Sequence, residues 1–280
     1  MHSSYWGLVW QQFRKHKLAV AAAVVIIALC LLAVLGPVIS PYSFSSYEAG
    51  AVLQPPSGAH LLGTDELGRD VFTRLLWGSR ISLAVGIAAM FVALVIGTTF
   101  GALAGYYGGL LDNILMRFTD LVLAFPALFL FIVLSAFFNT KLIHLILIIG
   151  GMSWMEVARL VRSSFLTLKQ LEFTQAAEAM GARDRRIILK HLLPNALAPL
   201  IVATTLGIAS AILYESALSY LGLGVQPPWP SWGNMLSNSQ SYVWLAPTLT
   251  IYPGLSIFIT VLCFNLLGDG LRDALDPRMK

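Results

Sequence analysis

Of the 280 residues, 57% are hydrophobic and 11% charged, against about a quarter charged in soluble domains, and the mean hydropathy is +0.76. That balance excludes an ordinary soluble domain and specifies an integral membrane protein surrounded by lipid. The net charge of +4 does not indicate nucleic-acid binding, because the basic residues are divided among separate loops and build no continuous basic face.

Residues 1–17 form a basic N-terminal segment ending in Arg14-Lys15-His16-Lys17, and the apolar run 18–39 follows as the first span. Its length and the lack of an evident A-x-A cleavage site after it make it a retained anchor rather than a signal peptide. Residues 40–79 form an outer segment that contains LLGTDELGRDVFTRLLWGSR. The i,i+4 spacing of Asp65 with Arg69 and of Asp70 with Arg74 lets opposite charges meet on a short helix, although Gly68 weakens it. A self-satisfied surface cap and a ligand site both fit this pattern.

Residues 80–280 form a core with five further spans at 81–105, 121–138, 142–160, 196–214 and 245–267. The expected fold is therefore all-α, a polytopic bundle of six transmembrane helices. Gly97, Gly101 and Gly105 share one face of the second span, where a neighbouring helix can approach, either within the subunit or across a subunit interface. In the third span Asp120 has Arg117 three residues back, and Pro126 bends the helix. Glu156 falls near one end of the fourth, with Arg159 three residues on. Glu215 has no basic neighbour in the fifth span, so it pairs elsewhere, lies near the outer interface or stays protonated. The Pro-rich start of the outer loop 222–244 forbids a continuous helix, while Trp229, Trp232 and Trp244 suit a membrane interface. Glu215 and Trp232 are the candidates for a pathway or gate.

With the N-terminus inside, fourteen Lys and Arg fall on the cytoplasmic side and only Arg69, Arg74, Arg80 and Lys141 outside, which places both termini in the cytoplasm. Cys30 and Cys263 lie within spans and imply no disulfide. No G-x-x-x-x-G-K-[ST], H-E-x-x-H or G-x-S-x-G occurs, and the five histidines lack metal-ligand spacing. Catalytic residues, a cofactor and a metal are therefore not expected in this chain.

Between the fourth and fifth spans, residues 174–195 read TQAAEAMGARDRRIILKHLLPN. They suggest two short helices joined at Gly181, with Ala176 and Ala177 as a close-packing tip and Arg185, Arg186 and Lys190 as basic arms. Asp184 is placed to cap the second helix, and Pro194 to end it before the fifth span.

Gln175-Ala176-Ala177, Gly181 and His191-Leu192-Leu193-Pro194-Asn195 resemble the E-A-A, three residues, G, nine residues, I-x-L-P signature of ABC importer permeases. Gln175 stands where that signature has Glu, and His191 where it has Ile. The resemblance implies that this module is the coupling element docking into an ATPase subunit, with Gln175, Ala176, Ala177, Gly181, Arg185, Arg186 and Pro194 as its residues. LLGTDELGRDVFTRLLWGSRISLAVG, YESALSYLGLGVQPPWPSWGNML and FNLLGDGLRDALDPRMK are similar to the peptide and nickel branch, and to its second, C-type subunit. What this implies is a bacterial inner-membrane importer of peptides, with nickel or a metal chelate as the alternative cargo. A B-type partner permease, two ATPases holding ATP and Mg, and an extracytoplasmic solute-binding protein would complete it. An ion-coupled carrier or channel would need no ATPase.

Single cysteines at Ser46 and Ser237 are expected to react with an impermeant thiol reagent from outside intact cells, and one at Thr167 is not; the reverse pattern would invert the topology.

Overall fold

Lipid offers no partner for a free backbone amide, so apolar segments of this length must close their hydrogen bonds internally as helices. The computed structural model describes residues 5–48, 50–138 and 141–275, and among these the only extended pairing is an isolated bridge between Thr64 and Asp70. In order come α1 (Tyr5–Lys15), α2 (Lys17–Ile39), α3 (Val71–Tyr107), α4 (Gly109–Leu123), α5 (Ala127–Phe137), α6 (Leu142–Lys169) and α7 (Glu172–Ala179). They are followed by α8 (Asp184–Arg186, continued by a π-helical turn Ile187–Leu192), α9 (Leu193–Tyr220), α10 (Trp232–Ser239) and α11 (Thr248–Leu275). Among the described residues five helices are long and apolar enough to cross a membrane: α2, α3, α6, the continuous run through α8 and α9, and α11. A sixth exists if α4 and α5 together make one span.

The expected third span is not a single bent helix. α4 and α5 meet at 85° across Ala124-Phe125-Pro126, because Pro126 lacks an N–H and pushes the preceding residue out of helical geometry. α6 is also longer than expected, which places Glu156 at its middle instead of near one end. Arg159 turns away from Glu156 to meet Asp120 of α4 at 2.5 Å, so that Asp120 is paired with Arg159 and not with Arg117.

α3 and α6 run parallel with their backbones nearly touching. A Cβ on Gly97 would lie 2.5 Å from the Trp154 carbonyl oxygen, one on Gly101 2.4 Å from that of Ala158, and one on Gly105 2.9 Å from that of Arg162. Gly150 of α6 returns the contact, 2.5 Å from the Ala89 carbonyl oxygen of α3. The glycine face therefore packs within the subunit. Val157, Ala158, Val161 and Phe165 of α6 are buried behind it with Tyr106, Ile187 and Leu192. A second core joins α2 to α9 and α11 through Ala22, Ile26, Ile212, Cys263 and Phe264, and α1 lays Phe13 near Ala274 at the end of α11.

The outer segment departs from the short charged helix expected of it. Residues 65–68 form a turn, since Gly68 has φ +74° and a Cβ there would lie 2.1 Å from the Glu48 carbonyl oxygen. Asp65 does meet Arg69, at 2.6 Å, and also forms an ion pair with Arg74 at 3.3 Å. Asp70 is not Arg74's partner: it caps α3 by accepting from the Thr73 amide at 2.7 Å and meets His60 Nδ1 at 3.0 Å. All five of these charged or imidazole side chains are buried, so LGTDELGRD is an internal knot that anchors the segment to α3 and not an exposed surface cap. Burial, and then the Asp65 charge, hold the Glu66 carboxyl above the usual carboxylate range.

Gly101→Leu is expected to force α3 from α6 and lower the melting temperature of the detergent-solubilised protein by many degrees. Gly151→Leu, where nothing lies within 4 Å, should leave it nearly unchanged.

Candidate functional site

The 174–195 module sits where α3 and α6 end, and its local sequence explains its shape. α7 stops in a Schellman motif: the Gly181 amide donates to the Glu178 carbonyl at 2.9 Å and the Ala182 amide to the Ala177 carbonyl at 3.0 Å. Gly181 adopts φ +76° with nothing near its α-carbon, so a backbone conformation and not a steric contact selects glycine there. Thr174 and Ala177 face inward and are buried, while Gln175, Ala176, Glu178 and Ala179 are exposed. The expected tip of Ala176 and Ala177 is thus divided between the two faces, as helical geometry requires of adjacent residues. The most prominent apolar side chain on the outward side is Met180, 82% exposed. Gln175 hydrogen-bonds the Gln170 carbonyl at 3.2 Å, and Arg185 and Arg186, on the far side of the Gly181 turn in sequence, are exposed.

Two sequence expectations fail in the second half of the module. Asp184 does not cap α8; it accepts a hydrogen bond from the Tyr106 hydroxyl of α3 at 2.9 Å. Pro194 does not end the helix either, because the π-turn lets the Leu193 amide reach back five residues to the Ile188 carbonyl and absorbs the ring that an ordinary helical turn would reject. The chain therefore runs unbroken from Asp184 to Tyr220.

The module is bolted to both central helices. Thr174 Oγ1 donates to the Leu168 carbonyl at 2.9 Å, and Lys169 Nζ donates to the Tyr106 carbonyl at 2.9 Å while lying 5.0 Å from the Tyr106 ring centre. Arg162 grips Asp112 of α4 through two bonds, at 2.5 and 2.6 Å. Tyr106, Lys169 and Met180 carried no motif that sequence reasoning would single out. Only the position of Met180, immediately before the turning glycine, hinted at exposure.

At the opposite end, Glu215 is fully buried and accepts from Ser82 Oγ of α3 at 2.8 Å and from Ser219 Oγ at 2.7 Å. Ser82 Oγ accepts in turn from the Trp232 amide at 3.3 Å, and Ser219 Oγ from the Val225 amide at 3.0 Å. One carboxyl group thus ties α3, α9 and the outer loop together. Trp232 is fully buried against Gly78 and not interfacial, whereas Trp229 is half exposed and Trp244 almost wholly so. Neither Glu215 nor Trp232 lines a cavity described here.

Two cavities open along α3 and α6, one against the outer loop and the other against α9. The outer one, of about 750 Å³, is lined by Trp77, Arg80, Lys141, Gln226 and Trp229. The second, of about 310 Å³, lies at mid-bundle and is lined by Met90, Phe131, Ser153, Glu156, Ser210 and Tyr214, among others.

Glu215→Gln keeps one acceptor and is expected to preserve the fold, because serine hydroxyls can reverse their donor role. Glu215→Ala should cost about 2 kcal/mol or more of stability and make the 222–244 loop sensitive to protease. Equal melting temperatures for the two variants would remove the hub from this account.

Residues 97–280 match the family described as binding-protein-dependent transport system inner membrane component, and residues 4–56 match the N-terminal TM domain of oligopeptide transport permease C. The chain is 44% identical to the dipeptide transport system permease protein DppC of Alkalihalophilus pseudofirmus, over 99% of this chain and 91% of that one. It is also 44% identical to the glutathione transport system permease protein GsiD of Pectobacterium atrosepticum, over 98% of this chain and 92% of that one. Its fold is shared with a chain of the MetNI methionine ABC transporter solved in inward-facing conformations, with a TM-score of 0.59 and 21% identity over 72% of this chain and 96% of that one. A membrane bundle with these matches over nearly its whole length belongs to the binding-protein-dependent transport system inner membrane components, the permease subunits of ABC importers.

Proposed function

We propose that this chain is the C-type permease of a bacterial peptide importer, working with a B-type permease, two ATPases that hold ATP and Mg, and an extracytoplasmic solute-binding protein. The single observation that carries the coupling role is the two-sided module. Thr174, Ala177, Ile187 and Leu192 are buried in the chain's own core, while Ala176, Met180, Arg185 and Arg186 face outward. A short apolar knob ringed by basic side chains suits a groove on an ATPase surface, and methionine adapts its shape to such a groove. The names of the dipeptide and glutathione relatives support peptide cargo. Basic asymmetry supports the orientation in the inner membrane, with the module and both termini in the cytoplasm.

The mechanism follows from the attachments. Closure of the ATPases displaces α7, and Thr174, Lys169 and Asp184 pass that displacement to α6 and α3. The unbroken helix from Asp184 carries it into α9. These are the helices that line the mid-bundle cavity, so a rigid shift at the module changes which side the cavity faces. Delivery at the other end falls to the binding protein.

Met180→Asp, in the reconstituted complex, is expected to lower binding-protein-stimulated ATP hydrolysis and uptake by about tenfold while the permease pair still co-purifies. Gly181→Val should act in the same direction by straining the turn, and Gly181→Asn should be milder. Normal stimulation and uptake in both Met180→Asp and Gly181→Val would refute the coupling assignment.

A further inference from the structure

Glu156 occupies a position that no ion pair among the described residues compensates. It lies at the middle of the 28-residue α6, and the residues around it in the cavity, Met90 of α3 and Ser210 of α9, are also near the middles of their helices. Its side chain is exposed to that cavity. The neighbouring acids on α4 are each held by an arginine of α6, Asp120 by Arg159 and Asp112 by Arg162. Arg159, the basic residue within one helical turn of Glu156, is therefore committed elsewhere, and Glu156 has no ion-pair partner among the described residues. A carboxylate on a membrane-spanning helix without a partner is costly unless water or a mobile cation reaches it, and such a residue is a functional site by default.

The surroundings define what it would accept. Ser153 and Ser210 line the same cavity and offer hydroxyl oxygens to it, while Phe131 and Tyr214, edge to face at 4.7 Å, make an apolar wall. One anion, neutral acceptors and an apolar wall suit a primary ammonium with a short apolar body attached. About 310 Å³ accommodates a molecule the size of a small peptide. We propose that Glu156 is the counter-charge for the free amino terminus of cargo in this cavity, a reading that rests on the peptide-importer assignment above. No step of bond formation is involved: the ammonium leaves water, pairs with the carboxylate through charge-assisted hydrogen bonds, and is released when the cavity turns inward.

The experiment uses the complete importer in vesicles, with dialanine and glutathione as probes. Glu156→Gln is expected to lower import of the transported probe by about tenfold or more while the partner permease still co-purifies and binding-protein-stimulated ATP hydrolysis persists; Glu156→Asp should restore most of the uptake. A second readout does not depend on cargo. With Cys30 and Cys263 replaced by Ala, Ser210→Cys should react about tenfold faster with a cationic than with an anionic methanethiosulfonate of similar size, and Glu156→Gln should abolish that preference. Unchanged uptake in Glu156→Gln, or no charge preference at Ser210→Cys, overturns the inference while leaving the importer reading intact. Loss of the partner permease from Glu156→Gln overturns it differently, by marking Glu156 as one half of an ion pair between subunits. Failure of the unaltered complex to import either probe instead removes the peptide reading on which the inference rests.

Discussion

The close approach of α3 to α6 is the constraint from which the other features follow. Lipid tails are as apolar as leucine, so two helices in a membrane gain little from hiding apolar surface from each other; they gain dispersion energy by bringing backbones together. Gly97, Gly101, Gly105 and Gly150 make that possible, because every one of them would place a Cβ within 3 Å of a carbonyl oxygen of the other helix. Since the two helices are parallel, their ends arrive together. Tyr106 and Lys169 become neighbours at one end, and that pair forms the seat of the 174–195 module. Higher up, the faces of α3 and α6 turned away from the contact leave room for the mid-bundle cavity with α9.

Charge is distributed by the same economy. Asp112 and Asp120 on α4 are each met by an arginine from α6, which fastens the irregular α4–α5 elbow onto the parallel pair. In the outer segment Asp65 serves Arg69 and Arg74 at once, and Glu66 takes a further Arg69 nitrogen at 2.8 Å. Asp65, Arg69 and Arg74 are buried, so removal of Asp65 would leave Arg74 without its ion-pair partner, a much larger cost than the loss of an exposed pair would incur. Against this background the charged residues that line the two cavities stand out for having no ion pair among the described residues: Arg80, which lies 5.5 Å from the Trp77 ring centre, and Lys141 at the outer cavity, and Glu156 at the inner one.

On the proposed reading, the module is a soluble-looking segment built to move a membrane bundle. Its outward residues are small, basic or flexible and contribute little to its own stability. Its inward residues, Ile187 and Leu192 above all, are as buried as any in the chain. The π-turn keeps the path to α9 continuous through Pro194, so a push on the surface is not lost in a loop.

Composition, span lengths and the glycine period by themselves determined a polytopic helical bundle, and the A-A-x-x-x-G spacing located the module and its turn at Gly181. These properties are local: apolar length, three-dimensional period along one helix, and the φ > 0 requirement of a single residue can all be read without neighbours. Pairing between elements could not be read in this way. Spacing of i,i+3 or i,i+4 allowed Asp70 to meet Arg74, Asp120 to meet Arg117 and Glu156 to meet Arg159, yet the structure gives Asp70 to His60 and the α3 cap, and Asp120 to Arg159. Glu215 likewise found hydroxyls on other segments that no motif announced, and Ala177 turned inward while Met180 turned out. A charged side chain takes whichever partner the packing brings within reach of its head group, and that partner is set by which helices lie side by side, a property of the tertiary fold alone.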